Sequence, residues 1–135
     1  MDNNIWDKLI SEANKVKNHR VISPFIEDGQ VGAAILTNKG NIYTGICMDA
    51  ACTLGLCAER NAIMNMITNG ESVITKIVCI DSKGNLGTPC GACRELIMQL
   101  DKNSKNIEIL LNKNTYETIT MEELMPMWWG YDRFK

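Results

Sequence analysis

Histidine is nearly absent from this chain: His19 is the only one in 135 residues. That excludes a metal site built on imidazoles and a histidine-based nucleophile–base pair. No apolar run approaches the roughly 20 residues that a membrane-spanning helix needs. The opening Met1-Asp2-Asn3-Asn4-Ile5-Trp6 is polar and lacks the charged-then-apolar pattern of a secretory leader. The expected compartment is therefore the cytoplasm. Basic residues are not in excess either, with 14 Lys and Arg against 16 Asp and Glu for a net charge of -2. No basic stripe offers itself to a phosphate backbone, so base modification within nucleic acid is disfavoured. Internal repeats, low-complexity stretches and linkers are missing, which predicts one domain over residues 1–135.

What the chain does have is six cysteines. A reducing compartment argues against a disulfide framework, and a domain this long buries a core without staples. Cys90 and Cys93, in Cys-x-x-Cys spacing, point instead to metal or redox chemistry.

Hydrophobic periodicity predicts a helix over residues 5–17, carried by Ile5, Trp6, Leu9, Ile10, Ala13 and Val16. Residues 19–30 read as a loop. Strands are expected at 31–36 and 42–46, joined by the turn at 38–41. Residues 48–55 read as a second loop. A helix begins at Cys57 and stops at Asn69-Gly70. A central strand covers 76–81, a loop 82–89, and a third helix starts near Cys90. Strands follow at 107–111 and 116–119, and Thr120-Met121-Glu122-Glu123 carries a capping-box pattern for a last short helix. This order predicts an α/β fold: a three-layer α/β/α arrangement with a mixed five-stranded sheet, parallel neighbours in its middle, and both cysteine blocks at one sheet edge.

Two short blocks carry the chemistry. Cys90 and Cys93 share a face on a first helical turn and can grip one ion, while Cys57 comes from a second helix start. The partial positive charge at a helix N-terminus favours the thiolate that binds metal. Three thiolates suit Zn2+ and leave one of its four positions open to water, the mark of a catalytic site. Glu59, two residues after Cys57, is placed to hydrogen-bond that water. Arg60, on the same face as Cys57, is placed to offset thiolate charge by hydrogen-bonding a sulfur. Cys79 lies in an apolar strand and reads as a packing thiol. Cys47 and Cys52 read either as packing or, for Cys47, as lining a pocket.

Cys57-Ala58-Glu59-Arg60-Asn61-Ala62 and Pro89-Cys90-Gly91-Ala92-Cys93-Arg94 together resemble the cytidine deaminase family, in its small tri-cysteine branch. Val31-Gly32-Ala33-Ala34-Ile35, residues 42–45, and Leu124-Met125-Pro126 with Trp129 extend the resemblance over nearly the whole chain. It implies a zinc aminohydrolase acting on a cytosine nucleoside in pyrimidine salvage, assembled as a homotetramer with shared active sites. Glu59 would then move the protons, Cys57, Cys90 and Cys93 would hold zinc, and Arg60 would support them. Phe25, Cys47, Asp49, Ala58 and Trp129 would face the substrate. One departure stands out. Where the family carries Asn-x-Glu for the ribose hydroxyls, this chain reads Cys47-Met48-Asp49. The relative that deaminates blasticidin S also departs there, so a different aminopyrimidine nucleoside is one alternative. A structural zinc module, with Cys47 or Cys52 as fourth ligand, is the other.

Overall fold

Trp6, Leu9 and Ala13 are buried at helical spacing along α1 (Asn4–Val16). They pack on Ala34, Val78, Ile80 and Leu110, which project from one face of a single sheet. The opposite face presents Ile35, Ile77, Cys79 and Ile109 to Ala62, Ile63 and Met66 of α2 (Ala58–Thr68) and to Ile97 and Met98 of α3 (Gly91–Leu100). Successive strand residues point to opposite faces, and that alternation fills both interfaces. The result is a three-layer α/β/α arrangement. It is drawn from a computed structural model that describes residues 3–134.

The mixed sheet has seven strands. Five form its body in the order β3 (Ile42–Asp49), β2 (Glu27–Thr37), β4 (Ile74–Ile80), β6 (Glu108–Leu110), β7 (Thr118–Thr120). The other two, β1 (Arg20–Val21) and β5 (Leu86–Gly87), are two-residue ribbons within stretches whose composition predicts loops. β1 pairs with the outer end of β2, where Arg20 Nε donates to both oxygens of buried Asp28, at 3.2 and 3.0 Å. A charged pair in place of apolar alternation hides this extension from a periodicity reading. Gly29 turns the chain here at φ +80°, and a Cβ would fall 1.8 Å from the Asn18 carbonyl oxygen. Among the described residues only β4 and β6 pair in parallel; β2 runs antiparallel to both β3 and β4 and separates them. The last helix, α4 (Met121–Leu124), has its capping box in full: Glu123 N donates to Thr120 Oγ1 and Thr120 N to Glu123 Oε1.

Glu71 locks the β2–β3 hairpin from below. Its Oε2 accepts from Tyr43 Oη at 2.6 Å and Asn41 Nδ2 at 2.8 Å. The Tyr43 hydroxyl, then the Thr37 and Asn41 side chains, hold the Glu71 carboxyl below its ordinary value against the opposing effect of burial. A carboxyl lowered on folding adds stability above its unfolded pKa and loses it as pH falls through the folded one. Glu71→Gln is therefore expected to be less stable than the parent at neutral pH, the gap closing in acid. Urea unfolding across the carboxylate range measures this.

Candidate active site

Two small backbone devices deliver the helix starts to one place. Met48 and Leu56 exchange backbone hydrogen bonds at 2.9 and 2.8 Å, which closes the loop after β3 and sets Cys57 beside that strand. β5 pairs with Cys79 and Ile80 of β4 and carries Thr88-Pro89-Cys90 back to the same edge. Arg94 clamps this second approach, its Nε donating to the Pro89 carbonyl at 2.7 Å and its Nη2 to Thr88 Oγ1 at 3.2 Å. Gly45 of β3 makes the close approach of α2 to the sheet feasible. A Cβ there would lie 2.3 Å from Ala62 N and 2.6 Å from the Ala58 carbonyl oxygen.

Cys57 and Cys90 are the N-cap residues of α2 and α3, both extended, and neither uses its side chain to cap its helix. Their sulfurs are free to turn toward each other. Cys57 Sγ and Cys90 Sγ are 3.5 Å apart, and Cys90 Sγ and Cys93 Sγ 3.4 Å. All three sulfurs lie within 4.8 Å of one another. Thiolates about 2.3 Å from a tetrahedral zinc ion stand roughly 3.8 Å apart, so this donor set fits zinc. Cys93 is buried, Cys57 half-buried and Cys90 exposed, so the cluster opens to solvent on the Cys90 side. Burial, then the Glu59 charge, pushes the Cys93 thiol up. Burial opposes ionisation of Cys90 too, but the Cys93 backbone N–H, the Cys93 and Cys57 thiols and the Ala92 N–H outweigh it and bring that thiol down.

Glu59 is 6% exposed and shares the buried face of α2 with Ala62, Ile63 and Met66. An acid buried on the inner face of α2, two residues after Cys57, is not a solvated surface group. Arg60 Nη2 donates to Cys57 Sγ at 3.7 Å, and the Cys57 thiol is the main influence holding the guanidinium's pKa up. Arg60 Nε is buried with no partner among the described residues.

The model of the "cytidine and deoxycytidylate deaminase zinc-binding region" matches residues 5–108. The chain belongs to this deaminase family. A cytidine deaminase of Sporosarcina psychrophila is 32% identical over 122 residues, covering 89% of this chain and 88% of its own. A blasticidin-S deaminase of Bacillus cereus is 32% identical over 117 residues, covering 78% and 82%. The crystal structure of cytidine deaminase from Mycobacterium leprae superposes with a TM-score of 0.74 at 29% identity, covering 90% of this chain and 98% of its own.

Outside the thiol cluster of this deaminase-family chain, the remaining sequence candidates are dispersed. Ala58 is buried at the first position of α2. Cys47 Sγ accepts the Val31 backbone N–H at 3.3 Å, so its sulfur is engaged by β2. Asp49 ends β3, exposed and in register with Glu27. Phe25 and Trp129 stand 72% and 61% exposed on the single chain. Neither Cys47 nor Cys52 joins the three-sulfur group. Glu95, which the sequence reading passes over, receives the indole N–H of Trp128 at 3.0 Å and of Trp129 at 3.2 Å and bolts the C-terminal aromatics to α3. A contact across more than thirty residues leaves no local pattern to find.

Arg60 gives a direct test of the sulfur environment. Arg60→Gln removes the charged donor to Cys57 Sγ, and groups in this supporting role typically contribute 10- to 100-fold in metal affinity. Zinc is expected to bind about that much more weakly, measured by competition with a chelating dye.

Proposed function

We propose that this chain hydrolyses the exocyclic amine of a cytosine nucleoside, converting cytidine or 2′-deoxycytidine to the uracil nucleoside and ammonia. The observation that carries the reading is the meeting of Cys57, Cys90 and Cys93 at two helix starts with Glu59 buried beside them. Zinc held by these sulfurs would activate water and stabilise charge. Glu59 takes a proton from the attacking water and passes it to the ring nitrogen next to the amino-bearing carbon. It then takes the remaining proton from the hydroxyl newly added to that carbon and delivers it to the departing amine, so the carbonyl forms, ammonia leaves and the carboxylate ends the cycle as it began. Burial keeps Glu59 out of bulk water and leaves its proton traffic to the substrate side.

The remaining parts of the reading follow from the same family. Phe25 and Trp129 wall the base once further copies of the chain cover them, as a cytoplasmic homotetramer with shared sites would, and the product enters pyrimidine salvage. Ala58 and Asp49 face the substrate, with Cys47 at the edge of that pocket. Residues 1–135 act as one domain.

A second substrate is favoured by one feature. Cys47 Sγ is occupied by the Val31 N–H and Asp49 is a short carboxylate, so the sugar side is poor in donors and reach. Blasticidin S, the substrate named for the Bacillus cereus relative, is the alternative. Zinc-loaded protein should release ammonia from cytidine and 2′-deoxycytidine, screened alongside cytosine and blasticidin S. Release from blasticidin S alone selects the second substrate. Turnover of none of them by a fully zinc-loaded chain would sink the enzymatic reading.

A further inference from the structure

β3 is an edge strand, with β2 on one side and no named strand on the other among the described residues. Antiparallel pairing turns the backbone groups of alternate residues away from the partner, and on β3 these are Thr44, Ile46 and Met48. Each outward carbonyl is taken. Asn65 Nδ2 donates to Thr44 O at 3.4 Å, Asn61 Nδ2 to Ile46 O at 3.1 Å and Leu56 N to Met48 O at 2.8 Å. Asn61 and Asn65, four apart, share one face of α2. Asn61 is half-buried and Asn65 exposed. Asn61 also closes the first turn of that helix, its backbone N–H donating to the Cys57 carbonyl at 3.1 Å. Cys57 itself gives no side-chain cap, so the turn has no fastening of that kind at its start. The neighbouring Gly45 lets the turn descend onto β3: a Cβ there would lie 2.9 Å from the Asn61 carbonyl carbon.

We propose that Asn61 is a positioning residue: its side-chain amide pins the first turn of α2, with Cys57 and Glu59, against the stretch of β3 that leads into Cys47 and Asp49 on the substrate side. This rests on the deaminase reading. One side chain thereby joins the two walls between which the nucleoside sits. The bond to Ile46 O holds the turn along the strand, and the bond to Cys57 O carries that constraint to the helix start. Water can satisfy an edge carbonyl in place of the amide but cannot hold a helix to it. A displacement of about 1 Å at a reacting group can cost up to about 100-fold in rate. Asn65 makes the same kind of bond one turn further on, where neither Cys57 nor Glu59 stands. Its amide covers the strand edge without bearing on the site.

The experiment compares Asn61→Ala and Asn61→Asp with the parent and with Asn65→Ala. Aspartate keeps the shape of asparagine but has no donor for Ile46 O, and its charge suits the start of a helix. Zinc affinity, read by competition with a chelating dye, is expected to fall about tenfold in both Asn61 variants. At saturating zinc, kcat should fall about tenfold while KM stays within about threefold. Asn65→Ala should stay within about twofold of the parent on all three measures. A loss of zinc affinity places the effect on Cys57 and a loss confined to kcat places it on Glu59; either supports the proposal. Asn61 variants no different from Asn65→Ala in both measures overturn it, as does failure of both Asn61 variants to fold. If the parent turns over no nucleoside, the deaminase reading fails while zinc affinity still decides the role of Asn61.

Discussion

Glu59→Gln is expected to bind zinc as the parent does and to turn over nucleoside about 100- to 10,000-fold more slowly, the range typical of a lost acid–base group. The amide fills the same space on the inner face of α2, so the helix start and the three sulfurs keep their places. What is lost is the capacity to take a proton and return it. The loss should fall on kcat, because a proton carrier acts between ground state and transition state more than in binding. Steady-state kinetics beside metal analysis separates the two effects. A glutamine variant with parental kcat would remove Glu59 from the mechanism.

Cys93→Ala is expected to abolish zinc retention and, with it, activity. Cys93 is the fully buried donor, and two remaining sulfurs cannot close a three-point grip. The apolar packing lost is small, since a buried free cysteine behaves as a small hydrophobe. The fold should therefore survive without the metal. Because a ligand stabilises only the state that binds it, added zinc should raise the melting temperature of the parent and leave that of Cys93→Ala unmoved. The thiols must give up protons to become ligands, and burial pushes the Cys93 thiol up. Zinc loading of the parent should thus release protons and weaken as pH falls. Calorimetry in buffers of different ionisation enthalpy reads that release.

Much of the centre can be read before any coordinates, for a physical reason. The three clustered sulfurs and Glu59 sit within one turn of two helix starts, and short-range spacing is what a sequence displays. Cys57 with Glu59, and Cys90 with Cys93, are such pairs, and the capping box at Thr120 is another. The ribbon at Leu86–Gly87 is different. Two residues are too few to show a period, yet their pairing with Cys79 and Ile80 aims Cys90 at Cys57. The same holds for the row of Gly45, Ala33, Cys79 and Gly87 across four strands, which exists only once strand register is known. Glu95 beneath Trp128 and Trp129 is hidden for the same reason. The stretch 19–30 misleads in another way: a buried Asp28 paired to Arg20 looks like a loop in one dimension and is a strand end in three.

Zinc K-edge X-ray absorption of the loaded protein tests the coordination most directly. Three sulfur neighbours at about 2.3 Å and one lighter scatterer at about 2.0–2.2 Å are expected, an open position beside Glu59. Four sulfur neighbours would mean that Cys47 or Cys52 closes the shell, and the site would be structural.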